Sequence, residues 1–130
     1  MAITHINPPS MHASPAFSQG TIAPAGARIL YVGGQNGVDA DGKVVGNSIG
    51  PQTEQALRNV IAVLAEAGAT QADVAKLTIH IVPGTDVNAG FAASLSAWGD
   101  HPTAITVVMV AGFANPEFLV EIDAIAALPG

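Results

Sequence analysis

The chain has 130 residues, 49% of them apolar and only 11% charged, with a net charge of −6. That length fits one domain over residues 1–130 with its own core. The absence of cysteine excludes disulfides, thiol nucleophiles and thiolate metal sites. The four basic residues, Arg28, Lys43, Arg58 and Lys76, are far apart in sequence, so they form none of the clustered charge that nucleic acid demands, and no nucleic-acid partner is expected.

So little charge leaves a lone copy short of polar surface and predicts buried contacts between subunits. No apolar run is long enough to span a bilayer. Met1–His5 lacks a basic, then apolar, leader pattern. The expectation is a cytoplasmic protein without a membrane partner.

Ala2–Ile6 reads as a short first strand, stopped by Asn7-Pro8-Pro9. Phe17–Ala23 and Ala27–Gly33 read as two more strands. Pro24-Ala25-Gly26 between them predicts a hairpin. Asn36–Asn47 is loop-like.

A helix is predicted from Pro51, where a missing N–H costs nothing. Leu57, Val60, Ile61 and Leu64 keep helical spacing, and Gly68 suits the position after the helix end. Gln52, Glu54, Gln55, Arg58, Asn59 and Glu66 fall largely on its polar side. Lys76–Val82 is the next strand, with Leu77, Ile79 and Ile81 on one face. Asp86 then caps a second helix whose apolar stripe is Val87, Phe91, Leu95 and Trp98. Gly99 and Pro102 end it. Ala104–Ala111 is a strand apolar on both faces, which predicts a central position. Phe118–Ala126 is the last strand.

That last strand places two carboxylates in an apolar run. Glu121 and Asp123 share a face with Leu119 and Ile125, and roughly 7 Å separates the two acids along the strand. A carboxylate inside a packed body costs several kcal/mol unless it is paired, hydrogen-bonded or protonated. A wet sheet edge or subunit boundary would satisfy both acids. A ligand cleft is the sharper expectation for Glu121.

Other chemistry is weaker. His5, His12, His80 and His101 show no ligand spacing, so no metal is expected. His80 fits a hydrogen-bonded residue of a half-buried strand, and His101 a loop. Gly33-Gly34-Gln35-Asn36-Gly37 follows a strand but lacks the helix and Lys-Ser/Thr of a phosphate loop. Its bare backbone could approach a ligand or a neighbouring subunit. No nucleophile elbow accompanies any serine.

Five blocks share one pattern. They are Pro15-Ala16-Phe17-Ser18-Gln19, Leu30–Gln35, Gln52–Val60, Leu64–Ala69 and Leu119–Ala126. Together they resemble the Rid family, the reactive intermediate (enamine/imine) deaminases, over nearly the whole chain. The resemblance implies an α+β, chorismate-mutase-like (RidA-like) fold. In it a six-stranded mixed sheet carries two helices on one face. It further implies a homotrimer with small-molecule clefts between subunits, hydrolysis of 2-imino acids or enamines to ketones and ammonia, and no cofactor.

The resemblance assigns the water-positioning glutamate to Glu121 and backbone contacts to Gly34 and Gln35. Elsewhere the polar positions of the family pattern are lost. The carboxylate-clamping arginine of Pro-x-Ala-Arg-Thr is Ile105 in Pro102-Thr103-Ala104-Ile105-Thr106. A tyrosine is Phe17, a serine is Gly33, a cysteine or threonine is Val107, and an asparagine of the second helix is Leu95. The Trp98–His101 segment is about one turn shorter. Losing a bidentate clamp removes several kcal/mol of carboxylate recognition. Three functions stay open on the sequence. They are a hydrolase of a neutral imine or enamine, a non-catalytic ligand-binding protein, and an interaction trimer with an unused cleft.

Overall fold

The structure, a computed structural model, describes residues 2–130; Met1, the first residue of the expected domain, lies outside the described residues. Six strands and two helices follow the order β1 (Thr4–Ile6), β2 (Gly20–Ile22), β3 (Ile29–Gln35), α1 (Ile49–Glu66), β4 (Val74–Ile81), α2 (Val87–Trp98), β5 (Ala104–Met109), β6 (Val120–Ala127). The α+β class and the strand count are those expected. Hydrogen bonding groups the strands as a mixed four-stranded sheet, β3-β6-β4-β5, and a ribbon, β1-β2. The ribbon is tied on by Ser18 N–H donating to Thr103 O (2.9 Å) and Thr21 Oγ1 donating to Ala75 O (2.6 Å).

α1 starts two residues earlier than Pro51. Pro51 still sits in the first turn, where backbone N–H groups have no partner inside the helix, so its ring breaks no bond. Ile49, Ala56, Leu57, Val60 and Leu64 form the buried stripe, packed onto Val120, Ile122, Ala124 and Ala126 of β6. Gln52 departs from the expected polar side and is fully buried. Its Nε2 donates to Gly46 O (3.2 Å) and Glu117 O (3.0 Å), and its Oε1 accepts from Leu119 N–H (2.9 Å). One amide thus satisfies three buried backbone groups, which is why it lies inside. Gly37 has to be bare there: a Cβ would sit 2.6 Å from the Gln52 Cα.

Two expectations of pairing fail. β2 and β3 form no hairpin; β2 pairs with β1, and β3 with β6. The turn between them closes with Ala27 N–H on Pro24 O (3.2 Å) and puts Gly26 at φ 76°. That is a type II pattern, whose twist splays two strands instead of keeping them in register. β5 is an edge strand, although it is apolar on both faces. Its one strand partner is β4, in parallel, through the crossover that α2 supplies, and its other edge carries a single bridge, Ser18 with Ala104. Its side chains do not need a central place to be apolar. One row lines a cavity under α2, and the other lies on the sheet face that the helices leave uncovered.

The alternation in β6 is as expected. Val120, Ile122 and Ala124 face the helices and are buried, while Glu121 and Asp123 turn to the uncovered face.

Candidate functional site

The register divides the expected site residues between the two faces of the sheet. Leu77 pairs with Ile105 and Ile79 with Val107, so these four share the helix side. His80 pairs with Glu121 and Thr78 with Asp123, on the opposite side. Within one chain, therefore, Glu121 lies on the opposite face of the sheet from Ile105, Val107 and Phe17, and the clefts that the resemblance implies are between subunits. A shift of one residue in either pairing would have reversed the result, because side chains alternate.

The helix side holds a cavity of about 790 Å³. Phe17, Leu95, Ile105 and Val107 line it together with Phe91 and Trp98. The N-terminal wall is set by Ser18, whose N–H bond to Thr103 O brings Phe17 over β5. The α2 wall has a steric origin. Gly90 faces α1 so closely that a Cβ would stand 3.3 Å from the Ile49 Cγ1. α2 therefore packs by its row of small residues, Gly90, Ala93 and Ala97. Its large row, Val87, Phe91 and Leu95, stays about half exposed and only Trp98 is buried. Asp100 and His101 complete one rim. Sequence reasoning took His101 for a loop residue and missed this role of Asp100. The available signal was the row of small residues in α2, which leaves the large row without a covering element.

The uncovered face is chemically different. Glu121 and Gly34 lie against each other: a Cβ at position 34 would come within 2.6 Å of the Glu121 Cδ. The bare backbone of Gly34 is what gives that carboxyl its place. The strand around Gly34 is pinned from both sides. Asn36 Nδ2 donates to Val120 O (2.9 Å), and Asn59 Nδ2 donates to Asn36 O (3.2 Å) and Val38 O (2.9 Å). Gln35 Nε2 folds back on Gly33 O (3.0 Å), so all of Gly33, Gly34 and Gln35 stand beside the Glu121 strand.

His80 lies in β4, as expected of a half-buried strand residue. Its Nδ1 is 3.0 Å from the Glu121 carbonyl and 3.9 Å from Asp123 Oδ2. A carbonyl only accepts, so Nδ1 carries the proton. Asp123 is exposed enough for water to satisfy it. No protein donor bonds the Glu121 side chain among the described residues, which leaves its oxygens able to hold a water or a ligand. The four histidines are dispersed: His5 bonds Ser18 Oγ (2.8 Å), and His12 stacks edge-on with Phe17.

The family model described as Endoribonuclease L-PSP matches residues 8–128. A protein of the Rid family from Yersinia pestis, described as of unknown function, has a crystal structure that superposes with a TM-score of 0.87. It is 34% identical, with 98% of this chain and 100% of that one covered. The chain belongs to the Rid family. A RutC family protein of Pyrococcus abyssi is 31% identical over 98 residues, 75% of this chain and 76% of its own. A Mycobacterium tuberculosis member of the YjgF/YER057c/UK114 family is 29% identical, with a TM-score of 0.64 and coverage of 98% and 100%. This Rid chain thus carries the family fold with an apolar cavity on one side of its sheet and a glutamate on the other.

Proposed function

We propose that this Rid chain binds a small, largely apolar molecule without a carboxylate and hydrolyses an imine or enamine within it. The observation that carries this is the cavity of about 790 Å³ walled by Phe17, Leu95, Ile105 and Val107. Its size suits a small molecule. Ile105 stands where the family resemblance puts a carboxylate-clamping arginine, and Arg28, Lys43, Arg58 and Lys76 are all absent from the lining.

The two half-sites lie on opposite faces of one chain, so they meet only between copies. In a homotrimer the cavity of one copy would face the Glu121 and Gly33–Gln35 half of the next. The exposed apolar side chains Tyr31, Phe91, Leu95, Val107 and Met109 favour such contacts. Water held by Glu121 attacks the C=N carbon, and the carboxylate takes its proton and passes it to the nitrogen. The hydroxyl of the resulting carbinolamine then gives its proton through the carboxylate to the leaving nitrogen as the C–N bond breaks, leaving a ketone and ammonia. No cofactor takes part.

The endoribonuclease description of the family model does not transfer in this reading. A net charge of −6 with four dispersed cations opposes binding to phosphates.

Light scattering is expected to give three times the chain mass. Ammonia release is expected from an imine without a carboxylate, generated in the assay, lost in Glu121→Gln, and absent with 2-iminobutyrate. Release from 2-iminobutyrate at the higher rate would overturn the proposal. Binding of an apolar probe without any ammonia release would select the alternative, a non-catalytic ligand-binding protein on the same scaffold.

A further inference from the structure

We infer that the ligand of the apolar cavity carries an organic cation, an amine or iminium nitrogen, held at the Asp100–His101 rim. This rests on the cavity reading above and narrows it. Asp100 is the one charged residue in the lining. The cations are occupied or remote. Arg58 pairs with Glu54 on α1, and Lys76 donates to Thr106 on the other face of the sheet. Arg28 precedes β3, and Lys43 lies in the loop before α1. An anionic ligand would meet a carboxylate at the mouth with no counter-charge; a cationic one would meet a partner.

The walls favour the same charge. Phe17, Phe91 and Trp98 all line the cavity. Aromatic faces attract ammonium-type groups, most strongly when water is excluded. An acid at the rim of a cavity that three aromatic rings line combines both forms of cation recognition.

The rim is held in place. Gly99 ends α2 at φ 85°, a left-handed conformation that lets the chain turn there. His101 N–H donates to Gly99 O, and Trp98 Nε1–H donates to His101 O, both at 3.0 Å. The backbone is thereby fixed. Among the described residues, the Asp100 carboxylate and the His101 ring make no hydrogen bond or ion pair of their own. Asp100 can take the charge, and a ring nitrogen of His101 can take one N–H of the ligand.

The test uses three probes with one hydrocarbon body: 3-phenylpropylamine, 3-phenylpropan-1-ol and 3-phenylpropanoate. Trp98, the single tryptophan, reports occupancy by its fluorescence. The amine is expected to bind about tenfold more tightly than the alcohol, with the carboxylate weakest. Asp100→Asn should bring the amine down to the affinity of the alcohol and leave the alcohol unchanged. A carboxylate that binds more tightly than the amine overturns the inference. So does an amine preference that survives Asp100→Asn. In both cases binding itself upholds the cavity. Binding of none of the three, by fluorescence and by calorimetry, overturns the cavity reading and this inference with it.

Discussion

The two faces of the sheet use the same strands to opposite ends. Within β6, Ile122 is sealed under α1, while Glu121 and Asp123, one residue to either side, meet solvent. Within β5, Ile105 and Val107 line the cavity and Thr106 meets Lys76 on the other side. The covered face is held by packing and by one buried amide. The uncovered face is held by backbone and places a free carboxylate. Within β6, packing and the carboxylate are thus separated by the alternation of side chains, so a substitution there can address one without the other.

Ile122→Ala should show the largest effect, since it opens a void in the covered face. The expected cost is about 3 kcal/mol, against about 0.5 kcal/mol or less for Glu121→Gln next to it. Urea denaturation of both variants measures the contrast, and equal losses would break it. Gln52→Leu comes next. It keeps the bulk but strands Leu119 N–H and the carbonyls of Gly46 and Glu117, a loss of about 2 kcal/mol. A neutral result in the same denaturation experiment would mean that water replaces the amide, and that the covered face is less sealed than described. Gly34→Ala sharpens the comparison at the small end. The new Cβ pushes the Glu121 carboxyl aside at a cost of about 1 kcal/mol, the scale of a strained side-chain rotamer. The Glu121 carboxyl carbon should shift by NMR while denaturation registers a loss of no more than about 1 kcal/mol.

Local order was legible in the sequence. The stripe of α1 and the alternation of β6 are periodic within one element, and Asp86 does cap α2, accepting from Ala89 N–H at 3.2 Å. What the sequence left open or misplaced depends on distant residues. Whether Ile105 and Glu121 share a face is settled by two registers, β5 on β4 and β4 on β6, that link segments far apart in sequence, as in Leu77 with Ile105 and His80 with Glu121. The edge position of β5 and the missing hairpin are pairing choices of the same kind. Gln52 looked like a surface residue because nothing near it in sequence reveals that the backbone of residues 46, 117 and 119 converges on its side chain.

The outer position of β5 bears on how the chain behaves in a crowded solution. Ile105-Thr106-Val107-Val108-Met109-Val110 is uncharged and rich in branched side chains, and β4 occupies only one of its edges. Such a segment is a template for a further strand from another chain. Pairing that closes on itself after a few copies ends there, whereas pairing that does not close grows into fibres. A chain with this edge is expected to remain in solution only as long as closed assembly outpaces open growth. Chains held apart by dilution and then concentrated quickly would be the most prone to precipitate.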